Sequence, residues 1–244
     1  MSTNVAFTRE NLDRYLSALA KEFRKRNGSA MQAEIVLIGG ASVLANYSFR
    51  EATYDVDAII HASSAMKEAI NHVSDVLNLP NGWLNTDFAQ TRSYSPKLMQ
   101  YSTYYKTFSH ILTIRTIVAE YLIAMKLMAG RKYKNDLSDV IGILFEHQKN
   151  GKPIDKAKID HAMVDLYGGW ENVPEDSKKF IAGVMQNGDY ETLYQKCQSE
   201  EQANRSMLLE VEKKYPGITN EDDIANILNA ARAKKASQKD GPTR

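Results

Sequence analysis

The pattern of apolar positions begins with a helix. After Thr8, apolar residues recur at spacings of three and four, at Leu12, Tyr15, Leu16, Leu19 and Phe23, and this is the period of an amphipathic helix. Thr8 is a typical N-cap residue, with Asn11 at the third helical position, where Glu or Gln is usual. Asn27-Gly28 supplies residues that commonly end a helix. We therefore predict a helix between these two ends.

Two short extended runs follow this helix. Residues 33–38 are apolar except for Glu34, three of them are β-branched, and they stop at Gly39-Gly40, which is typical of a buried strand. Residues 41–47 predict a short helix. Residues 53–60 alternate polar and apolar side chains and predict a second strand. The order strand, glycine pair, helix, strand is therefore expected here.

The middle of the chain returns to a helix and then to strands. Ser63 or Ser64 is placed to cap a helix that runs to about Leu79, where a Pro-Asn-Gly sequence breaks the chain. Residues 101–107 and 110–118 are rich in Tyr, Thr and Ile, which favour strands. Their closeness along the chain predicts a β-hairpin.

The second half of the chain is helical in pattern. Residues 119–129 are apolar around almost the whole helical circumference, which indicates a buried helix. Asp136 is placed to cap the next helix, 137–149, and residues 150–153 (NGKP) are the clearest linker. Short amphipathic helices are expected beyond this linker.

These patterns predict the α+β fold class, with a mixed β-sheet and flanking helices followed by an all-helical C-terminal domain. The predicted domains are 1–150 and 151–231. Residues 232–244 carry five basic side chains, one acid and no apolar period, so we expect a basic, disordered tail.

Composition and charge narrow the function classes. With 43% hydrophobic and 25% charged residues, the chain is neither disordered throughout nor collagen-like. A net charge of +1 gives no overall attraction to nucleic acid or to an acidic membrane. A single cysteine, Cys197, excludes an internal disulfide and a cysteine-cluster zinc site.

No signal peptide and no run of ~18 apolar residues is found, so we expect a cytoplasmic protein with no membrane partner.

The strongest candidate chemistry lies between the first two predicted strands. Side chains at positions i and i+2 of a strand share a face, so Asp55 and Asp57 are expected to project together. Two carboxylates side by side on a half-buried strand need a cation, and Mg²⁺ prefers such oxygen ligands. Gly39 and Gly40 would let backbone amides at a helix start approach a phosphate, and Ser42 adds a hydroxyl in the first turn.

Two blocks of residues carry a resemblance to a known group. Gly39-Gly40, Arg50, Thr53 and Asp55-Val56-Asp57 together resemble the nucleotidyltransferase superfamily, and more narrowly the AbiEii-like toxin nucleotidyltransferases and their bacterial relatives. The GWLN segment at 82–85 resembles one found in those relatives. A later helical block resembles their second motif at Lys126, Ala129, Arg131, Lys134, Asp136 and Asp139.

The resemblance implies a nucleotidyltransferase-like domain in residues 1–150. It implies transfer of a nucleoside monophosphate from an NTP to a hydroxyl of a tRNA or protein acceptor, with Mg²⁺ (or Mn²⁺) held by Asp55 and Asp57. It also raises the role of a toxin with a cognate antitoxin as partner. Lys126 is the expected catalytic cation and Asp87 a further candidate acid. The expected nucleotide contacts are Gly39, Gly40, Ser42, Arg50, Thr53, Arg131 and Asp136.

Two alternatives stay open at this point. The stretch 88–119 contains no Asp or Glu, so a third metal-binding carboxylate has only Asp87 as a nearby candidate. This favours a degenerate member that binds nucleotide or a partner protein without transfer. The other alternative is a helical interaction module, which would use the EEQANR stretch at 200–205 and the basic tail.

The acid-free stretch itself has two interpretations. Its cations and tyrosines interleave as they do in proteins that bind phosphates and stacked bases, but they also suit a hairpin whose tyrosines pack internally. These residues are Arg92, Lys97, Lys106 and Arg115, with Tyr94, Tyr101, Tyr104 and Tyr105.

Overall fold

The computed structural model describes residues 5–218, 223–224 and 226–231. The strands are β1 (Ala33–Leu37), β2 (Val56–His61), β3 (Leu84–Asn85), β4 (Ser102–Phe108) and β5 (Leu112–Ile117). The helices with assigned bounds are α1 (Arg9–Asn27), α2 (Gly39–Asn46), α3 (Ala65–Leu77), α4 (Ala119–Ala129), α5 (Asp136–Lys149), α6 (Lys156–Tyr167), α7 (Glu175–Asn187) and α8 (Tyr190–Lys214). Two 3₁₀-helices, Asp87–Gln90 and Pro96–Tyr101, lie between β3 and β4.

The strands form one mixed sheet in the order β3-β2-β1-β5-β4. The central strand β1 runs antiparallel to β2 and parallel to β5, and β3 pairs parallel with β2. The predicted hairpin is confirmed as the antiparallel pair β4-β5. A mixed sheet with flanking helices and a helical C-terminal region is the α+β fold that the sequence predicts.

Both faces of the sheet are covered, which explains the continuous apolar run from Ile35 to Ile38 at the end of β1. Ile35 and Leu37 pack in one core with α1 and α3, whereas Val36 and Ile38 pack in the other with α4, α5 and α6. Helix α4 is buried almost all round, as its pattern predicts. The capping box at Thr8 and Asn11 is also confirmed.

Several element ends differ from the prediction. Helix α2 begins at Gly39, two residues early, so both glycines lie inside its first turn. Strand β2 begins at Val56, which leaves Asp55 just before it. Ser64 occupies the N-cap position of α3, as predicted, but its hydroxyl makes no capping hydrogen bond, and the Ser63 hydroxyl donates to Asn27.

The C-terminal helices hold two further differences. Helix α8 has 25 residues and is not short. Asp136 is the first residue of α5 rather than its N-cap, because its carboxylate is drawn into ion pairs described below. The predicted boundary at 150 stays a prediction, and the predicted tail, 232–244, lies outside the described residues. Within those residues, no helix combines the length and the apolar character needed to cross a bilayer.

Candidate active site

A cavity of about 740 Å³ opens where β1 ends and α2 and β2 begin. Helix α4, the loop before α5, α8, and the segment from the end of β3 to Ser93 supply its other walls. All the site residues selected from the sequence except Ser42 border it: Gly39, Gly40, Arg50, Thr53, Asp55, Asp57, Asp87, Lys126, Arg131 and Asp136. Tertiary structure therefore brings together two blocks that lie about seventy residues apart along the chain.

Asp55 and Asp57 lie on one wall of the cavity. The carbonyl of Asp57 accepts a hydrogen bond from the amide of Ile38 (2.9 Å), which fixes this end of β2 to the end of β1. Among the described residues, neither carboxylate takes part in an ion pair or a side-chain hydrogen bond. Burial, and then the neighbouring Asp55 charge, raise the pKa of Asp57. A cation placed between the two carboxylates would relieve both effects.

The two glycines bring the start of α2 up to this carboxylate pair. Gly39 has φ of +53°, which favours glycine, and a Cβ added there would lie 3.8 Å from Oδ2 of Asp57. The first helical hydrogen bond of α2 runs from the amide of Ser42 to Ile38, so the amides before it have no partner inside the helix. Such amides and the positive end of the helix dipole attract phosphate.

Arg50 and Thr53 shape the loop that carries Asp55. The Thr53 hydroxyl donates to the Asp55 carbonyl (3.2 Å), and the Arg50 guanidinium donates to the Ala52 carbonyl (2.8 Å). A Cβ on Gly40 would lie 2.6 Å from Oγ1 of Thr53, so only glycine fits beneath this loop. These contacts position the acidic pair.

Ser42 does not border the cavity. Its side chain is fully buried, and its hydroxyl accepts a hydrogen bond from the amide of Ile117 (3.0 Å) at the end of β5. The contact ties α2 to the central part of the sheet. The hydroxyl therefore has a structural partner rather than an exposed position beside the carboxylates.

Lys126 is the centre of a buried ionic network. Its ammonium lies 2.9 Å from Oδ1 of Asp136 and 2.9 Å from Oδ2 of Asp139, although the second contact lacks the geometry of a hydrogen bond. Arg131 pairs with Asp136 (2.7 Å), and Arg50 pairs with Asp139 (2.9 Å). Three cations against two carboxylates leave one positive charge in excess beside the cavity.

The network keeps its members ionised. Burial alone would lower the pKa of Lys126, but Asp136 and Asp139 outweigh it and the pKa is raised. Burial alone would raise the pKa of Asp136, but Lys126 and Arg131 outweigh it and the pKa is lowered. The predicted catalytic cation is therefore already paired within the protein, and the network carries a net positive charge in place of a free ammonium.

Lys134 is a cavity residue that sequence reasoning left out of its site set. Its side chain is exposed and has no ion pair or hydrogen bond with the described residues. Among the cations that lower the pKa of Asp57, it has the largest effect. The signal that could have identified Lys134 was its place in the later helical block, 126–139, that resembles the second motif of the nucleotidyltransferases.

Helix α8 holds the loop that carries Arg131 and Lys134. The Asn204 amide donates to the Lys132 carbonyl (2.7 Å), and Arg205 donates to the Tyr133 carbonyl and to the side chain of Asn135. Arg205 and Leu209 also border the cavity. No local pattern predicts these contacts, because they join segments about seventy residues apart.

Glu201 of α8 caps α5 in place of the predicted Asp136. Its buried carboxyl accepts hydrogen bonds from the amides of Leu137 (2.9 Å) and Ser138 (3.3 Å) and from the Ser138 hydroxyl. Burial raises the pKa of Glu201 to about 7. Three residues of the EEQANR stretch, Glu201, Asn204 and Arg205, thus form hydrogen bonds with other parts of the same chain.

A third carboxylate does not join the pair. Asp87 borders the cavity, but no group of three or more His, Cys, Asp or Glu side chains in the described residues is arranged to hold a metal ion. The residue paired with Asp57 on the neighbouring strand is Asn85. Its side-chain oxygen accepts a hydrogen bond from the amide of Asp87 (2.9 Å).

The acid-free stretch packs internally. Its cations have partners in the protein: Arg92 donates to the Asn172 carbonyl, Lys97 to the Asp165 carbonyl, Lys106 to Asp13 and Arg115 to Ser102. Tyr101 stacks on Tyr121 with ring centroids 3.8 Å apart. Tyr104 is the tyrosine of this stretch that is mostly exposed. These contacts favour the packed-hairpin interpretation.

Comparison with known proteins agrees with this arrangement. A family model described as a nucleotidyltransferase of unknown function (DUF6036) matches residues 14–167. Searches of curated proteins and of solved structures returned no match. The matched stretch runs from within α1 to the end of α6 and covers most of the cavity wall. Since it spans more than half of the chain, the protein belongs to this family of nucleotidyltransferases of unknown function.

Proposed function

We propose that the protein transfers a nucleoside monophosphate from an NTP to an acceptor hydroxyl. One observation carries the proposal: Asp55 and Asp57, the start of α2, and the loop that carries Arg131 and Lys134 (the cationic loop) all border one cavity. In this reaction the acceptor oxygen bonds to the α-phosphorus, the α–β phosphoanhydride bond breaks, and pyrophosphate leaves. The hydroxyl proton passes to water.

The chain supplies a different group for each part of the triphosphate. The amides of Gly39 and Gly40, which have no hydrogen-bond partner within α2, suit phosphate oxygens. The exposed ammonium of Lys134 and the excess positive charge of the Lys126 network suit the charge that develops on leaving pyrophosphate. Arg131 borders the cavity while it pairs with Asp136, so it contributes through that network.

The acidic pair fits Mg²⁺ or Mn²⁺. Mg²⁺ is commonly bound by one or two carboxylates together with substrate phosphates and waters. Asp55 and Asp57 provide two carboxylates that form no ion pair with any cation in the described part of the chain. Gly39 leaves open the space beside Asp57 that a Cβ would fill. When bound there, the ion would supply charge neutralisation at the phosphates.

We also propose finer assignments for the family branch, the acceptor and the biological role. The resemblance supports the AbiEii-like branch, a tRNA or protein acceptor, and a toxin role with a cognate antitoxin. At the cavity, Tyr54 and Leu209 are more than half exposed, so an acceptor has aromatic and apolar contacts available near the carboxylates.

The test is label transfer by the full chain. α-³²P-labelled NTPs, Mg²⁺ and either total tRNA or cell lysate would be supplied to the protein and to the Asp55→Ala and Asp57→Ala variants. We expect transfer that falls by about a hundredfold or more in both variants, because several kcal/mol of charge stabilisation is lost. Asp75→Ala, an exposed substitution on α3, is the matched control.

A second candidate is a nucleotide-binding member without transfer. The observation that favours it is the lack, in the described residues, of a third acidic side chain grouped with Asp55 and Asp57. Tight Mg-NTP binding with no transfer to either acceptor source would select it. Absence of NTP binding would contradict both candidates.

A further inference from the structure

Part of the cavity wall carries no charge. Phe88, Thr91 and Ser93 come from the segment after β3, and Met125 and Ala129 lie one helical turn apart on α4. The acidic pair, the α2 amides and the cationic loop lie on other elements. These five side chains offer no charge to a triphosphate, although Asp87 and Lys126 lie beside them along the chain.

The two hydroxyls of this wall are left with acceptor capacity only. The Thr91 hydroxyl donates to the Phe88 carbonyl (2.8 Å), which uses its single proton. The 3.0 Å contact between the Thr91 and Ser93 hydroxyls must then be donated by Ser93. Both protons are spent inside the protein, and the remaining lone pairs can only accept.

The same wall offers buried apolar surface. Phe88 and Met125 are 8% and 3% exposed, and both border the cavity. The Phe88 ring is held edge-on by Tyr94, with centroids 5.9 Å apart. A flat ligand is favoured by such a surface, since aromatic and sulfur-containing side chains pack well against π systems.

We propose that Phe88, Thr91, Ser93, Met125 and Ala129 form the nucleoside subsite of this cavity. Its ligand is a nucleoside that presents a hydrogen-bond donor to the Thr91–Ser93 pair. That donor is an exocyclic amino group of the base or the 2′-hydroxyl of the ribose. A phosphate does not fit here, because it has only acceptors to offer to a pair that only accepts. This inference rests on the proposed function and names the part of the substrate that this wall selects.

The test is equilibrium binding, which needs no acceptor and no transfer. Dissociation constants of the four NTPs and the four dNTPs, each with Mg²⁺, would be measured by calorimetry on the full chain. UTP lacks an exocyclic amino group, and the dNTPs lack the 2′-hydroxyl. We expect either UTP or the dNTPs to bind about tenfold more weakly than the tightest NTP, the size of one hydrogen bond. The weaker class identifies the donor as base or sugar.

Variants connect that preference to the wall. Ser93→Ala and Thr91→Val should each reduce the preference to about threefold or less, whereas Thr103→Val, an exposed substitution on β4, should leave it unchanged. Ser93→Ala keeps the Thr91 contact to the Phe88 carbonyl, so it tests the idea even where Thr91→Val perturbs the segment. Equal binding of all eight nucleotides, or a preference that neither variant reduces, would overturn the subsite. Failure of every nucleotide to bind would instead overturn the proposed function.

Discussion

The ammonium of Lys126 lies 2.9 Å from Oδ1 of Asp136, and both side chains are buried. This pair joins the end of α4 to the first residue of α5. It explains why Asp136 does not cap its own helix, and why Glu201 has to reach across from α8 to do so. The positions of the cationic loop, the buried ionic network around Lys126, and α8 are therefore linked.

Removal of the Lys126 charge should strongly destabilise the fold. Lys126→Met leaves Asp136 and Asp139 buried without their shared cation, and breaking such a buried ion pair costs about 3–5 kcal/mol. Urea denaturation measures the loss. Lys132→Met, which breaks an exposed pair with Asp176, is the control and should cost less than about 1 kcal/mol. Equal midpoints for the two variants would contradict the role of the network.

The pH dependence of stability should reveal Glu201. Burial raises its pKa to about 7 from an ordinary 4.5, so between these values the folded state holds a proton that the unfolded chain has released. The stabilising contribution is present below pH 4.5 and is lost as pH rises through 7. Across this window the free energy of unfolding should fall by about 3 kcal/mol more than in Glu201→Gln. Glu200→Gln, at the exposed neighbour, is the control and should behave as the parent protein. Parallel curves of unfolding free energy against pH for the parent and both variants would refute the prediction.

Gly40 and Thr53 should show strong energetic coupling. Gly40→Ala places a Cβ 2.6 Å from Oγ1 of Thr53 and should cost about 1–3 kcal/mol through overpacking. Thr53→Ala removes that oxygen, so the double variant should be more stable than the sum of the single effects predicts. A double-mutant cycle by chemical denaturation measures the difference. Additive effects would mean that the loop moves aside freely.

Divalent cation should stabilise the protein through Asp57. Burial and the Asp55 charge raise the pKa of Asp57, so its ionised form costs stability at neutral pH in the absence of a cation. Asp57→Asn should therefore raise Tm without Mg²⁺. Added Mg²⁺ should raise the Tm of the parent protein but not that of the variant. A Mg²⁺ response that Asp57→Asn retains would place the cation elsewhere.

Loss of the α8 contact to the loop should weaken nucleotide binding. Asn204→Ala removes the hydrogen bond to the Lys132 carbonyl (2.7 Å) and loosens the backbone that carries Lys134. We expect the Kd for Mg-NTP to rise by about five- to tenfold, the equivalent of about 1 kcal/mol. Gln202→Ala, on the exposed side of α8, should leave it unchanged. Calorimetry on the two variants decides the matter.

The local elements were predictable where a periodic pattern had no competitor. The α1 capping box, the central strand β1, the β4-β5 hairpin and the bounds of α4 all follow from residues within each element. Asp55 and Asp57 both border the cavity, as their i, i+2 spacing suggests, although Asp55 lies just before β2. The glycine pair also marked the start of α2, although the helix begins two residues earlier than its apolar pattern indicates.

The hydrogen-bond and ion-pair partners of charged side chains could not be predicted from local sequence patterns. Asp136 has the local features of an N-cap, but a buried ammonium ten residues away attracts its carboxylate more strongly than the helix end does. Lys97, Lys106 and Arg115 suggested a surface for polyanions, yet each lies close to an acceptor on another element. The position of a charged residue in the sequence does not show whether its side chain is paired with a partner from another segment.

The sequence by itself therefore determined the elements, the acidic pair and the glycine turn, because hydrogen bonds and apolar periods act over a few residues. Only the tertiary structure decided which cations are free: it pairs Lys126 with two buried carboxylates and leaves Lys134 exposed beside Asp57. It also placed α8 over the loop and set the uncharged wall at Thr91 and Ser93. Charge and hydrogen-bond satisfaction depend on distances between segments far apart in the chain, which folding alone establishes.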